Sequence, residues 1–154
     1  MTRAYIGLGA NLGDREATIR RAVEVLAADP EIEVAAVSSL RETDPVGYAD
    51  QPPFLNGAAV LDTELSPRAL LDRLLAVERG LGRVRGEGPR YGPRAIDLDL
   101  LLYGDRIVDE PGLTVPHPRL AERRFALEPL HELAPGLRLP DGRALRDLLG
   151  ARLQ

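Results

Sequence analysis

Apolar residues along this chain change period several times, and each change marks an element. Ala4–Ala10 (AYIGLGA) is almost continuously apolar and reads as a short buried strand. Asn11–Asp14 is a turn. In Arg15–Ala28, Ile19, Ala22, Val23 and Leu26 fall at i, i+3, i+4 and i+7, the spacing of a one-faced helix. Val34–Thr43 and Phe54–Thr63 read as strands, separated by the loop Asp44–Pro53 with its three prolines and one glycine. Ser66 and Pro67 are an N-cap and a first helical position, and the helix they open runs to about Leu81 with Leu70, Leu71, Leu74 and Leu75 inward. Ile96–Tyr103 is a further strand, Gly104-Asp105 a turn, Arg106–Val108 a short returning strand and Glu110–Pro118 a Pro/Gly loop. Arg123–Leu133 and Arg143–Leu149 are helical. The order β-α-β-β-α-β with C-terminal helices predicts a single α+β domain over residues 1–154, a ferredoxin-like mixed or antiparallel sheet covered by helices.

Composition narrows the chemistry. The 154 residues suffice for a real core, and the net charge of −4 carries no global basic field of the kind that marks a nucleic-acid binder. All twenty basic residues are arginine, so a phosphate-binding lysine and Schiff-base chemistry are excluded. The absence of cysteine excludes disulfides and thiolate metal sites and fits a cytoplasmic location. With no apolar leader and no long apolar run, neither export nor membrane insertion is expected.

The most informative segment is Gly82–Tyr103, GRVRGEGPRYGPRAIDLDLLLY. Arg83, Arg85, Arg90 and Arg94 crowd a Gly/Pro loop that runs into the strand carrying Asp97 and Asp99. Residues two apart on a strand share a face, about 7 Å apart. The two carboxylates therefore stand together, with Ile96, Leu98 and Leu100 on the opposite face. Carboxylates and phosphate oxygens are the ligands Mg²⁺ prefers, and guanidinium forks suit phosphate. The segment reads as a magnesium–polyphosphate site.

Other segments are more ambiguous. Gly7 and Gly9 lie where a dinucleotide fingerprint would, but G-x-G-x-x-x-G is one residue too long, so they serve a tight turn and close packing. Phe54 and Asn56 share a strand face, which suits a flat heteroaromatic ligand and equally an ordinary core. Phe125, the other of the two phenylalanines, could stack with Phe54 around such a ligand or simply fill the interior. His117 lies between Pro116 and Pro118 and could donate to phosphate, act as a base, or belong to plain surface. Glu78 is a helix-edge charge or lines the site, and His131 is structural.

In combination, YIGLGANLGDR, DQPPFLNGA, RYGPRAIDLDLLLYG and LTVPHPRL closely resemble the 6-hydroxymethyl-7,8-dihydropterin pyrophosphokinases of folate biosynthesis, over nearly the whole chain. The resemblance implies transfer of the β,γ-diphosphate of ATP to the pterin hydroxymethyl group, with release of AMP. It implies two Mg²⁺ ions on Asp97 and Asp99, and catalytic roles for Arg83, Arg94, Asp97 and Asp99. ATP would be met by Glu78, Arg83, Arg85, Tyr91, Arg94, Thr114, His117 and Arg123. The pterin would lie between Phe54 and Phe125, with Asn56 and the backbone around Thr43 and Val46 reading its edge. Other folate-pathway enzymes are the expected partners. The chain has Tyr91 where the family often has Trp, and Pro118 where some members have Tyr. The loops Asp44–Pro53 and Gly86–Pro93 would close over bound substrates. Two other readings use part of this machinery: a metal-dependent nucleotide hydrolase with no pterin pocket, and a nucleotide sensor without turnover.

Overall fold

The structure, a computed structural model, describes residues 1–44, 52–82 and 95–153. Seven strands and four helices are found among them: β1 (Thr2–Ala10), α1 (Arg15–Ala28), β2 (Ile32–Val37), β3 (Arg41–Thr43), β4 (Phe54–Thr63), α2 (Pro67–Gly80), β5 (Asp97–Tyr103), β6 (Val108–Glu110), β7 (Leu113–Val115), α3 (Arg124–Leu133) and α4 (Leu145–Leu153). The main sheet has the order β2-β4-β1-β5, with every pair antiparallel and β3 continuing along β4 beyond the end of β2. This is the ferredoxin-like arrangement that the element order predicts.

Both faces of the sheet are covered, which is why β1 and β5 are almost continuously apolar. On one face α1 and α2 bury Ile19, Leu26, Leu70 and Leu74 against Ile6, Leu8, Leu61 and Leu98. On the other, Leu127 and Leu130 of α3 and Leu145 of α4 pack with Tyr5, Val60 and Leu102. Side-chain caps start the first two helices: Ser66 accepts from the Ala69 amide, as expected, and Asp14, read from the sequence only as part of a turn, accepts from the Ala17 amide, each at 3.1 Å. In α2 the inward stripe is Leu70, Leu74, Val77 and Glu78, while Leu71 and Leu75 are only half-buried.

Two further sequence expectations are corrected. The strand expected over Val34–Thr43 is two strands. The register slips at Ser38–Leu40, where the Ser38 hydroxyl accepts from the Ala58 amide at 2.8 Å and so satisfies a ladder donor by a side chain. The stretch Glu110–Pro118 is not only loop. Val108–Glu110 and Leu113–Val115 form a separate two-stranded hairpin around Pro111-Gly112, with Leu113 and Val115 buried and Thr114 exposed. Gly112 holds a φ of 74°, the left-handed conformation such a turn needs.

Candidate active site

The sheet register brings the chemistry into one row. Arg41 on β3 opposes Asn56 on β4, Asn56 opposes Gly9 on β1, and Gly9 opposes Asp97 on β5. One step outward Thr43 opposes Phe54, and one step inward Gly7 opposes both Ala58 and Asp99. Cross-strand partners share a face, so Asn56, Asp97 and Asp99 stand over the two glycines.

The glycines make the floor. A Cβ on Gly9 would lie 2.9 Å from Asn56 Oδ1, and one on Gly7 would lie 3.8 Å from Asp99 Cβ. The expectation of close packing holds for Gly9, whereas a Cβ at Gly7 would make only ordinary contacts, and both residues lie within β1 rather than in the expected tight turn. Asn56 is 7% exposed, and its side-chain amide donates to the Thr43 hydroxyl. The amide is thereby pre-aimed, with its carbonyl end above Gly9.

Asp97 and Asp99 are half-buried on β5, as the period of two required, and Leu98 between them is fully inward. Behind Leu98 stands Glu78 of α2, 1% exposed, whose carboxylate accepts from the Leu98 amide at 2.7 Å. Glu78 thus fixes the one residue that separates the two aspartates. Among the described residues no group of three acidic or imidazole side chains could hold a metal unaided. Two hard carboxylates two residues apart on one sheet face suit a divalent cation that takes its remaining oxygens from water or a phosphate ligand.

His117 enters from the segment after β7. Its backbone N–H donates to the Leu101 carbonyl at 2.9 Å, stitching the segment to β5. Burial, then the nearby charges of Arg123 and Arg119, push the imidazole down to about 4, against an opposing pull from Asp97. The ring is therefore neutral near pH 7. Its Nδ1 accepts from the Arg119 amide at 3.2 Å, which leaves the proton on Nε2 as a donor. Arg123 is half-buried, and its guanidinium carbon lies 5.5 Å from the centre of the Phe125 ring. Phe125 is half-buried in the first turn of α3, which packs on β4. Phe54 is also half-buried, at the outer end of β4. Neither ring is wholly committed to the core.

Of the expected site residues, the register and these contacts bring together Thr43, Asn56, Asp97 and Asp99 on one side and His117, Arg123 and Phe125 on the other. Thr114 is exposed on the β6–β7 hairpin, opposite Asp109. Val46, Arg83, Arg85, Tyr91 and Arg94 lie outside the described residues, as does most of the two loops expected to close. Two residues near the site carry no sequence signal. Asn11, 2% exposed, donates to the Pro52 carbonyl at 3.0 Å, and Arg15 donates to the Pro53 carbonyl at 2.9 Å. They tie down the entry to Phe54, but their partners are 41 and 38 residues away.

The fold and the carboxylate row define a class, ferredoxin-like α+β domains with a polar site across one end of the sheet. Within that class, residues 5–135 match the family model of 7,8-dihydro-6-hydroxymethylpterin-pyrophosphokinase, and the chain belongs to this family. It is 50% identical over 149 residues to the 2-amino-4-hydroxy-6-hydroxymethyldihydropteridine pyrophosphokinase of Pseudomonas aeruginosa, covering 97% of this chain and 91% of that one. The protein of the same name from Bacillus subtilis is 48% identical over 130 residues, 84% of this chain and 77% of the other. Among solved structures, an HPPK-DHPS in complex with substrates matches with a TM-score of 0.79 at 13% identity, over 98% of this chain. The wild-type Plasmodium falciparum HPPK-DHPS matches at 0.76 and 14%, again over 98%. These two likenesses concern the fold, and this chain spans less than half of each, 43% and 44%.

Proposed function

We propose a division of labour for the reaction of this family, transfer of the β,γ-diphosphate of ATP to the hydroxymethyl group of 6-hydroxymethyl-7,8-dihydropterin with release of AMP, in folate biosynthesis. The observation that carries it is the row Asn56–Gly9–Asp97, which sets a pre-aimed amide beside a pair of carboxylates on one sheet face.

Asn56 both donates and accepts, so with Thr43 and the backbone near Val46 it reads the amide-like edge of the pterin. Phe54 and Phe125 take the two faces of the ring. That binding presents the hydroxymethyl oxygen toward the aspartate end of the row. Asp97 and Asp99 would hold two Mg²⁺ ions, which would supply positive charge to offset that of the phosphates. His117 donates from neutral Nε2 to a phosphate oxygen, so its contact persists wherever the imidazole stays neutral. Arg123 adds positive charge on the same side. Arg83, Arg85 and Arg94 bind the triphosphate, with Arg83 and Arg94 stabilising the charge that develops in transfer, and Tyr91 and Thr114 complete the ATP contacts. Glu78 acts from behind by holding Leu98 and hence the spacing of the aspartates. Transfer of this kind depends on positioning and electrostatics more than on a base. We further propose that residues 1–154 form one pyrophosphokinase domain that works in the cytoplasm alongside other folate-pathway enzymes.

The test is incubation with ATP, Mg²⁺ and the pterin, and identification of the released nucleotide. Pterin-dependent AMP, with two phosphates gained by the pterin and abolition by EDTA, is expected. ADP released without any need for pterin would replace this reading with nucleotide hydrolysis. Tight ATP binding with no turnover would replace it with a sensor.

A further inference from the structure

Away from the aspartates, one carboxylate joins α3 to the start of β3. Glu132 sits in the last turn of α3, seven residues after Phe125. Seven residues are about two helical turns, or roughly 10 Å, so the two side chains lie on one stripe of the helix. Glu128 lies on the same stripe between them.

That stripe meets the start of β3. Glu132 Oε2 accepts from the Ser39 amide at 2.8 Å, and Oε1 accepts from the Ser39 hydroxyl at 2.6 Å and from Arg41 Nη2 at 2.9 Å. Glu128, itself paired with Arg124, stands 3.7 Å from Arg41 Nη1. Bonding to Ser39, and then the charge of Arg41, hold the Glu132 carboxyl below its ordinary range. Arg41 is the cross-strand partner of Asn56 and lies two residues from Thr43 on the same face. On the pterin reading, α3 with Phe125 forms one wall of the slot and β3–β4 with Thr43, Phe54 and Asn56 the other, and the contacts of Glu132 with Ser39 and Arg41 join the two elements.

We propose that Glu132 is a positioning residue that sets the width of the pterin slot by clamping α3 to Ser39 and Arg41. This rests on the pterin reading of Phe125, Asn56 and Thr43. A carboxylate is required because all three groups facing it are donors. A Gln at this position must turn an NH₂ toward either Ser39 or Arg41, which opens the clamp. A structural tie without this role would lower stability and leave the two substrates equally affected.

The experiment measures pterin and ATP-analogue binding, KM for each substrate, kcat and the urea midpoint for wild type, Glu132→Gln, Ser39→Ala, Phe125→Leu and Glu132→Gln/Phe125→Leu. Glu132→Gln is expected to weaken pterin binding about tenfold, the scale of one lost hydrogen bond in the wall of the slot. ATP affinity and kcat should stay within about twofold. Ser39→Ala, which removes one of the contacts, should show a smaller effect of the same kind, and it carries the test if Glu132→Gln does not fold. In the Phe125→Leu background Glu132→Gln should add nothing, because the two act through one element. Unchanged pterin binding, equal weakening of both substrates, or additive effects with Phe125→Leu would overturn the clamp while leaving the pterin reading intact. A wild type that binds ATP but no pterin would instead overturn that reading and the clamp with it.

Discussion

Gly9→Ala tests the floor of the site with a single methyl group. The added Cβ would stand 2.9 Å from Asn56 Oδ1, and relief to an ordinary 3.4 Å contact requires a shift of 0.5 Å (3.4 − 2.9). The backbone offers no objection, since Gly9 is not among the glycines with positive φ. What must give is the Asn56 amide, which is buried and tied to Thr43. An off-rotamer side chain costs about 1 kcal/mol and a weakened hydrogen bond about as much again. Replacing a strand glycine returns roughly 0.5–1 kcal/mol, so the net loss of stability is only about 1 kcal/mol. Binding suffers more. The pterin must either force the amide back against the methyl or lose its contacts, about 2 kcal/mol, or ~30-fold in affinity. Gly7→Ala is the control, because its Cβ would meet Leu101 and Asp99 only at 3.6–3.8 Å. Fluorescence titration of pterin in the presence of Mg²⁺ and a non-hydrolysable ATP analogue, with urea unfolding of each variant, reads both quantities. Pterin affinity of Gly9→Ala within threefold of wild type, or equal damage from Gly7→Ala, would refute the reasoning.

Other expectations follow from the same geometry. Arg94→Ala should lower kcat by roughly 10²–10³, the scale for removing one preorganised charge-stabilising donor, and Asp97→Ala should cost more; near-wild-type turnover in steady-state assays of either would sink the assignment of roles. Glu78→Ala leaves the buried Leu98 amide without its carboxylate acceptor and should destabilise the fold by about 1–3 kcal/mol, whereas Glu78→Gln keeps an oxygen and should lose less in urea unfolding. His117 is neutral in the folded protein down to about pH 4, while in the unfolded chain it protonates near about 6.5. Acid therefore favours the unfolded state, and stability should fall as pH drops from about 6.5 toward 4. The carboxylates with lowered values, Asp29, Asp62, Glu132 and Asp141, begin to withdraw their contributions only as pH falls through about 4.5 and below. Chemical denaturation with Mg²⁺ chelated should show the slope in wild type and lose most of it in His117→Gln.

Much of the fold was legible because its signals are local. Ser66-Pro67 starts α2 through a cap three residues away, and the alternation Ile96–Asp97–Leu98–Asp99 assigns both faces of β5 without any knowledge of its neighbours. The break at Ser38–Leu40 was not legible, because it depends on the Ser38 hydroxyl meeting the Ala58 amide twenty residues on. The short hairpin after Asp105 was obscured by Pro111 and Gly112, which read as loop although they form only its turn. Glu78 is the clearest ambiguity: a carboxylate beside an apolar stripe has the same pattern whether it faces water or, as here, a strand amide.

By itself, then, the sequence determined most of the strands and helices, that bound phosphate must be met by arginine rather than lysine, and that two aspartates share a face. Each of these follows from the backbone period or from residue chemistry, and both act within a few positions. Only the tertiary structure decided that Asn56, Gly9 and Asp97 stand in one row, that the missing Cβ of Gly9 makes room for the Asn56 amide, and that Glu132 joins α3 to β3. Those facts arise from strand register and helix docking between residues 47 to 93 positions apart, where no local pattern records which backbone will meet which.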